Sequence, residues 1–99
     1  MAYLIYAIDH PNKSEARENV REQHRQHLRS VGKKLLASGA LLDNDGQTVI
    51  GGISLLDTND YDEAKKFAIE DPYEKAGIRK KLKIIKWRKR WWDGCFLNE

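Results

Sequence analysis

The sequence predicts an α+β fold whose elements follow the order β-α-β-β-α-β, and three observations lead to this prediction. The run at residues 3–9 is apolar at both odd and even positions, which is typical of a strand covered on both faces. From Ser14 to Ser38 the apolar residues recur at helical spacing. Residues 44–46 read Asn-Asp-Gly between two apolar runs, which favours a hairpin turn. With a second helix and a last strand, these features predict the ferredoxin-like arrangement, a four-stranded antiparallel sheet with two helices on one face.

The first strand also predicts an assembly. Its apolar side chains fall on both faces, with Tyr3, Ile5 and Ala7 on one and Leu4, Tyr6 and Ile8 on the other. Two helices cover only one face of such a sheet, so the other face needs a partner, and a second copy of the chain is the simplest one. We therefore expect a homodimer in which two sheets meet face to face as a dimeric α/β barrel. This prediction is also compatible with association of dimers into a higher oligomer.

The first helix carries the most informative residues. We expect Ser14 as its N-cap and Gly39 as its C-terminal stop. Its apolar face consists of Ala16, Val20, Leu28, Val31 and Leu35. His24 and His27 fill the gap in the middle of this face, so two ionisable imidazoles point toward whatever the helix packs on. The charged residues are expected on the opposite side: Arg17, Glu18, Arg21, Glu22, Arg25, Arg29 and Lys33.

Two short strands are expected around the hairpin turn, at residues 40–43 and 48–56. Gly51 and Gly52 lie inside the second of them. Glycine within a strand indicates a bulge or a close approach of neighbouring backbone. We therefore expect one of these two irregularities in the middle of the sheet.

The second helix is expected at residues 61–70, preceded by a capping box of Asp60 and Glu63. Pro72 ends it, because the residue before a proline is disfavoured in the α region. One further helical turn is expected at residues 73–76.

The last strand is expected at residues 82–88. Its apolar residues change parity midway, which indicates either a bulge or two covered faces. A tail at residues 90–97 follows, and we expect its aromatic side chains to pack on the domain or on a second subunit: Trp91, Trp92 and Phe96.

Length and composition limit the class of protein. Ninety-nine residues, 40% hydrophobic and 33% charged, predict one soluble domain over residues 1–99, with about residues 88–99 as a basic, tryptophan-rich extension. No run reaches the roughly 20 apolar residues of a membrane span, and the first strand lacks the features of a signal peptide. The single cysteine, Cys95, excludes an internal disulfide and a cysteine-based zinc site. A cytoplasmic location is therefore expected.

Charge is distributed unevenly along the chain. Residues 75–92 hold nine Lys or Arg and no acid, so the remaining residues carry a net charge of −6. This division is compatible with binding of anions or nucleic acid, or with contact between the basic segment of one copy and the acidic surface of another. Nucleic-acid binding through residues 79–92 is the less favoured of these functions, because basic residues on an edge strand also prevent edge-to-edge pairing.

His24 and His27 are the first candidates for chemistry, because an imidazole titrates near neutral pH and suits general acid–base catalysis. From the spacing alone, a structural role at a helix–sheet contact is the favoured interpretation for each of them. A metal site is a weaker alternative, because the spacing of the two histidines matches no metal-binding motif. Asp71 is the candidate partner, since Pro72 fixes its backbone; it can orient an imidazole as in catalytic dyads, or it can simply shape the turn.

Several short motifs, taken in order, cover nearly the whole chain from Tyr3 to Trp87. They are Tyr3-Leu4-Ile5-Tyr6-Ala7, His27-Leu28, Ser38-Gly39-Ala40-Leu41-Leu42, Gly51-Gly52, Tyr61-Asp62-Glu63-Ala64 and Asp71-Pro72-Tyr73-x-x-Ala76-Gly77. The last is the most specific. In this combination the sequence resembles the YCII-related (YciI-like) family.

The resemblance implies a dimeric α/β barrel with a pocket in which His27 approaches Asp71 as the catalytic pair. His24 would be a neighbouring substrate-binding residue, and we expect Tyr6 and Trp87 in the apolar wall of the pocket. Such a pair suits proton abstraction next to a carbonyl or phenol, hence isomerisation of, or elimination from, a small cyclic or aromatic acid.

Nothing in the chain calls for a cofactor or a metal. The expected partners are a second copy of the chain and an unidentified small molecule, with no membrane contact. The alternative to an enzyme is a non-catalytic module that binds a small ligand or another protein with the same fold.

Overall fold

The computed structural model describes residues 1–98, and the chain alternates strands and helices in the predicted order. Its six strands are β1 (Ala2–Asp9), β2 (Leu35–Leu42), β3 (Val49–Leu56), β4 (Arg79–Trp87), β5 (Trp91–Trp92) and β6 (Cys95–Phe96). Its α-helices are α1 (Ser14–Val31), α2 (Tyr61–Glu70) and the short α3 (Pro72–Lys75). Glu99, the last residue of the domain predicted over residues 1–99, lies outside the described residues.

The main sheet has the strand order β2-β3-β1-β4, and every neighbouring pair is antiparallel. This order places β1 and β3 in the centre and leaves β2 and β4 as edges. It confirms the ferredoxin-like α+β fold. In the centre of the sheet, Ile5 of β1 lies opposite Ser54 of β3 and Ile84 of β4.

The hydrophobic core lies between the sheet and the helices. Its buried members are Tyr3, Ile5, Leu56, Ala64, Phe67 and Ala68. Leu28 and Val31 of α1 pack against this cluster while staying partly exposed. Ala64, Phe67 and Ala68 therefore form the inward side of α2.

The first helix is shorter than predicted. It ends at Val31 instead of Ser38, because Gly32 takes a φ of +67°, outside the range of an α-helix. After a single 3-10 turn the chain enters β2 at Leu35, which pairs with Leu56. Pairing with β3 thus replaces the helical continuation that the apolar spacing favoured.

The helix caps also differ in detail from those predicted. Lys13, not Ser14, occupies the N-cap position of α1, and it makes no side-chain cap hydrogen bond. At α2, Asp60 accepts a hydrogen bond from the backbone N–H of Asp62, as a capping residue should. Glu63 does not close the box: it accepts from the Thr58 hydroxyl, and that hydroxyl in turn accepts from the N–H of Asp60.

The register irregularities of the sheet lie at Leu36 of β2, Ile50 of β3 and Lys80 of β4, which have no partner in the strand register. The change of parity in β4 is not a bulge, because the pairing with β1 is continuous from Trp87 to Lys81 and the irregularity at Lys80 lies before the change. The change of parity instead gives β4 apolar side chains on both faces. The close approach predicted at the glycine pair is present, since a Cβ at Gly51 would overlap the carbonyl oxygen of Ala7.

The C-terminal segment forms a small hairpin of β5 and β6. Trp92 packs on Trp87, with 6.4 Å between ring centroids, and so joins the hairpin to the sheet. Trp91 and Phe96 contact each other but are 62% and 63% exposed. Among the helices in residues 1–98, none has the length and apolar character needed to cross a membrane.

Candidate functional site

A cavity of about 460 Å³ lies between α1 and the sheet. It exists because the strand residues beneath α1 are small: Ala7, Ser38, Ala40, Gly52 and Ser54. The strand register places Ala40, Gly52 and Ala7 in one row across the sheet, on the face that carries the core. Small side chains there leave the space under α1 unfilled, in contrast to the close packing of a protein core.

Asp71 lies behind the wall of this cavity and binds two of the lining residues, His24 and Arg79. It follows α2 directly and caps α3, where its Oδ1 accepts a hydrogen bond from the backbone N–H of Tyr73 at 2.9 Å. The same oxygen accepts from His24 Nδ1 at 2.9 Å, and Oδ2 accepts from Arg79 Nη2 at 2.9 Å. The Asp71 side chain is only 3% exposed, so these three donors take the place of water.

The surroundings of Asp71 set its charge. Burial raises the pKa of this carboxyl, but the hydrogen bond from His24, the positive charge of Arg79 and the N–H of Tyr73 together lower the pKa below its ordinary value of 3.8. Asp71 is therefore ionised at neutral pH and can only accept hydrogen bonds. The Nδ1–H of His24 is therefore the donor in this contact, so a neutral form of the ring has its acceptor at Nε2.

The Tyr73 ring packs against the face of the His24 imidazole. The two rings stack at 3.9 Å between centroids and 16° between planes. The Arg17 guanidinium also lies over the Tyr73 ring, 4.4 Å from its centroid. Arg17 is itself anchored by Asp9 at 2.7 Å and by the Gly51 carbonyl at 3.3 Å. The imidazole is thus fixed by a carboxylate at one nitrogen and by a packed aromatic ring along its face.

The lining of the cavity is positively charged. Among the described residues, no carboxylate contributes to this lining. His24 and four arginines do: Arg17, Arg21, Arg25 and Arg79. Arg17 and Arg79 are committed to the buried Asp9 and Asp71. Arg21 and Arg25 have only glutamate partners that are 60% or more exposed, and such surface ion pairs are weak. These two guanidinium groups are therefore available to an anionic ligand.

His27 does not make the predicted contact with Asp71. Its Nε2 donates to the carbonyl oxygen of Phe67 at 2.8 Å, and its ring stacks on Phe67 at 4.9 Å. It lines a second, smaller cavity of about 270 Å³ beside α2. Three residues along an α-helix rotate the side chain by about 60° and shift it by about 4.5 Å. That displacement brings His24, and not His27, to Asp71, so the predicted pairing is wrong.

Tyr6 and Trp87 do not lie in the cavity wall where they were predicted. Alternate strand residues face opposite sides of a sheet. Ile5 and Ala7 of β1 face the cavity, so Tyr6 faces the other side. Trp87 lies on that far side as well, since it is one residue out of phase with Lys86, whose Nζ reaches the core residue Tyr3.

Several residues at the cavity were not predicted as part of a site. Arg17, Arg21 and Arg25 were expected on the solvent side of α1, yet all three contribute to the cavity lining. Arg17, Arg21, His24 and Leu28 are spaced by four, three and four residues. A helical stripe of mixed charge and apolar character was therefore visible in the sequence. Nothing in the spacing indicated Arg79 or the serines of β2 and β3.

Within residues 1–98, no three side chains of His, Cys, Asp or Glu come together as metal ligands would.

Comparisons with known proteins agree with the fold and bear on the site. The family model of the YCII-related domain matches residues 1–88. An uncharacterized protein of Haemophilus influenzae is 37% identical over 90 aligned residues, which cover 79% of this chain and 87% of the relative. A solved structure, the 5-chloro-2-hydroxyhydroquinone dehydrochlorinase of Burkholderia phenoliruptrix AC1100 in complex with 2,5-dihydroxybenzoquinone, superposes with a TM-score of 0.79 at 25% identity. That match covers 89% of this chain and 94% of the dehydrochlorinase.

Proposed function

The chain belongs to the YCII-related domain family, and on that premise we propose that it is a small-molecule enzyme with His24 as general acid or base. The observation that supports the proposal is the 2.9 Å hydrogen bond between His24 Nδ1 and Asp71 at the wall of an arginine-lined cavity. Asp71 would orient the imidazole and stabilise the imidazolium once it forms. In this role His24 replaces His27 of the sequence-based prediction.

The proposed chemistry begins with a proton transfer. Nε2 of neutral His24 takes a proton from a carbon next to a carbonyl, or from a phenol, and the electron pair left behind forms a new double bond. In an isomerisation the proton returns to another carbon of the substrate. In an elimination a leaving group departs with its bonding pair instead. Neither sequence of steps needs an oxidant or a reductant.

The substrate class follows from the cavity. Arg21 and Arg25 favour an anion, whereas Leu28 and Ile5 offer apolar contact. A small cyclic or aromatic acid combines both properties. The structural neighbour is a dehydrochlorinase of a hydroquinone, which supports ring chemistry of this kind.

The test compares the two histidines of α1. Purified protein is assayed for chloride release from 5-chloro-2-hydroxyhydroquinone and, with small cyclic keto acids, for exchange of carbon-bound protons with D₂O followed by NMR. On whichever substrate the wild type turns over, we expect His24→Gln to lower kcat by about 100-fold or more, the usual contribution of a general acid or base. His27→Gln on the same helix should stay within a few-fold of wild type. Loss of turnover in His27→Gln alone would contradict the proposal.

A ligand-binding module without catalysis is the alternative that the cavity itself favours. In that case no substrate is turned over, and His24→Gln retains affinity because glutamine still hydrogen-bonds. An enzyme would bind its substrate in this variant but lose rate. Equal ligand affinity and absent turnover in wild type and variant would therefore favour the module.

We also propose that the functional unit is a homodimer. The sheet face away from the helices carries apolar side chains that no described element covers completely: Leu4, Tyr6, Ile8, Ile53, Ile85 and Trp87. Ile85 is 46% exposed in the single chain. Packing this face against the same face of a second copy would bury it around a two-fold axis.

A further inference from the structure

Two serine hydroxyl groups lie side by side at the floor of the large cavity. Ser38 of β2 and Ser54 of β3 are direct partners in the strand register. Their Oγ atoms are 3.0 Å apart, within hydrogen-bond distance. Both residues line the cavity that His24 and Tyr73 line from above. A polar pair thus faces a histidine across a space that is otherwise lined by arginine and apolar groups.

The hydrogen bonds of this pair leave one donor unused. Each serine hydroxyl has one proton and two lone pairs. The bond between Ser38 and Ser54 uses one of the two protons, and within residues 1–98 neither side chain has another hydrogen-bond partner. One hydroxyl proton and several lone pairs are therefore free to meet a group inside the cavity. An oxygen substituent on a ring would match them, because a keto oxygen accepts and a hydroxyl both accepts and donates.

The neighbouring floor residues limit what else can bind there. Gly52 and Ala40 form the next row of the sheet and leave a flat surface without long side chains. Ile5 and Leu28 supply apolar contact at the same cavity, and Arg21 and Arg25 supply positive charge. A planar ring fits a flat floor, an acidic group fits the arginines, and the serine pair remains for a second polar substituent.

We propose that Ser38 and Ser54 form a recognition site for a ring hydroxyl or keto oxygen, so that the cavity prefers hydroxylated aromatic or cyclic acids over unsubstituted ones. This inference rests on the proposed function, because it concerns the ligand of the same cavity. The inference differs from the proposed function because it assigns specificity to residues that take no part in proton transfer.

A purely structural role makes a different prediction. Cross-strand serine pairs contribute to sheet stability by a hydrogen bond of their own. If that were their only role, replacing them would change the free energy of unfolding and leave the choice between ligands unchanged. The ratio of two ligand affinities therefore separates the two roles, since it cancels a general effect on folding or on cavity shape.

The experiment measures binding of benzoate and of 2-, 3- and 4-hydroxybenzoate by isothermal titration calorimetry. These probes carry the same carboxylate and differ only in the ring hydroxyl. One neutral hydrogen bond corresponds to roughly threefold to tenfold in Kd. We expect wild type to bind at least one hydroxybenzoate tighter than benzoate by that factor. Ser38→Ala, Ser54→Ala and the double variant should bring the ratio to about one while the Kd of benzoate stays the same.

Two controls complete the design. Ser30→Ala removes a serine hydroxyl of α1 that donates to the His27 carbonyl, outside the large cavity, and it should keep the wild-type ratio. His24→Gln is the second: it is judged by its loss of turnover, whereas the serine variants are judged by the ratio of ligand affinities. Failure of the proposed function and failure of this inference therefore give different results.

Three outcomes would overturn the inference. The first is equal affinity of wild type for benzoate and all three hydroxybenzoates. The second is a preference that survives in both single serine variants. The third is absence of binding by all four probes at millimolar concentration. If the double variant does not fold, the single variants decide, since each removes only one oxygen atom.

Discussion

Asp71 shows how a single residue organises this site. One carboxylate accepts from an imidazole, a guanidinium and a backbone N–H, and these donors come from α1, β4 and α3. Burying a carboxylate without such donors would cost several kcal/mol. The same contacts that stabilise the charge hold His24 in one orientation and leave its Nε2 free for the proposed role as a base. Structure and proposed chemistry therefore depend on the same three hydrogen bonds.

Asp71→Asn should destabilise the protein in a pH-dependent way. At neutral pH the change removes the nearer of the two carboxylates beside the buried Arg79, leaving only Glu74 at 3.8 Å, and breaking a buried pair costs up to about 3 to 5 kcal/mol. The pKa of Asp71 is lowered in the folded state, so its stabilising contribution is present above the ordinary value of 3.8 and is lost as the pH falls through the lower folded value. The difference in unfolding free energy between wild type and variant should therefore shrink below about pH 4.

Urea denaturation at neutral and acidic pH measures this difference. Asp62→Asn is a suitable control, because Asp62 is exposed in the first turn of α2 and its loss should cost well under about 1 kcal/mol. A gap between wild type and Asp71→Asn that is the same at both pH values would show that the charge of Asp71 does not stabilise the fold.

At the level of elements, α1 and the strands contribute different parts of the cavity. The helix supplies His24, Arg21 and Arg25, while the sheet supplies a floor from which large side chains are missing. A helix usually buries a continuous apolar stripe against a sheet. Here the N-terminal half of α1 presents arginine and histidine instead, and only Leu28 and Val31 near its end pack on the core. The cavity lies where the apolar stripe is interrupted.

The glycines of the sheet lead to a second prediction. A Cβ at Gly51 would overlap the carbonyl oxygen of Ala7 in the neighbouring strand, and backbone cannot move aside as a flexible side chain can. We expect Gly51→Ala to lower the free energy of unfolding by about 1 to 3 kcal/mol, the usual cost of overpacking. It should also disturb Arg17, whose guanidinium donates to the Gly51 carbonyl.

Gly39→Ala is the matched control for this prediction. It is also a strand glycine, but a Cβ there meets no atom within 4 Å. Alanine should be neutral or stabilising at that position by up to about 1 kcal/mol, because it restricts the unfolded chain more than glycine does. Thermal and urea unfolding of both variants provide the measurement. Equal stability of the two would contradict the close approach at Gly51.

At the scale of the whole molecule, the uncovered sheet face leads to the prediction of a dimer. All three helices pack on one face of the sheet, and the strand register puts Leu4, Tyr6 and Ile85 together on the other face. Apolar patches of this kind are typical of interfaces. Trp92 packs against Trp87 at the border of this face, so the C-terminal hairpin lies next to it.

We expect wild type to sediment as a dimer in analytical ultracentrifugation and Ile85→Glu to sediment as a monomer. An unpaired charge within an apolar interface opposes association. Ile69→Glu is the control, because Ile69 of α2 has nearly the same exposure, 48% against 46%, but lies on a helix away from the sheet face. A monomeric wild type, or a dimer that survives Ile85→Glu, would contradict the proposed interface.

Much of the architecture could be predicted from local patterns. The order β-α-β-β-α-β, the turn at Gly46, the bounds of α2 and the rigid step from Asp71 to Pro72 all depend on interactions between residues near in sequence. The end of α1 could not be predicted in the same way. Leu35 fits the helical spacing as well as it fits a strand, and only its pairing with Leu56 decides between them.

The sequence by itself determined the fold class, the family resemblance and the residue types of the site: histidines on α1 and a fixed aspartate after α2. Only the tertiary structure decided that His24 and not His27 meets Asp71, that Tyr6 and Trp87 face away from the cavity, and that Ser38 and Ser54 lie on its floor. The physical reason is that local patterns define periodicity but not phase. The rotation of a helix about its axis, and the face of a sheet that the helix covers, are set by packing between residues far apart in sequence.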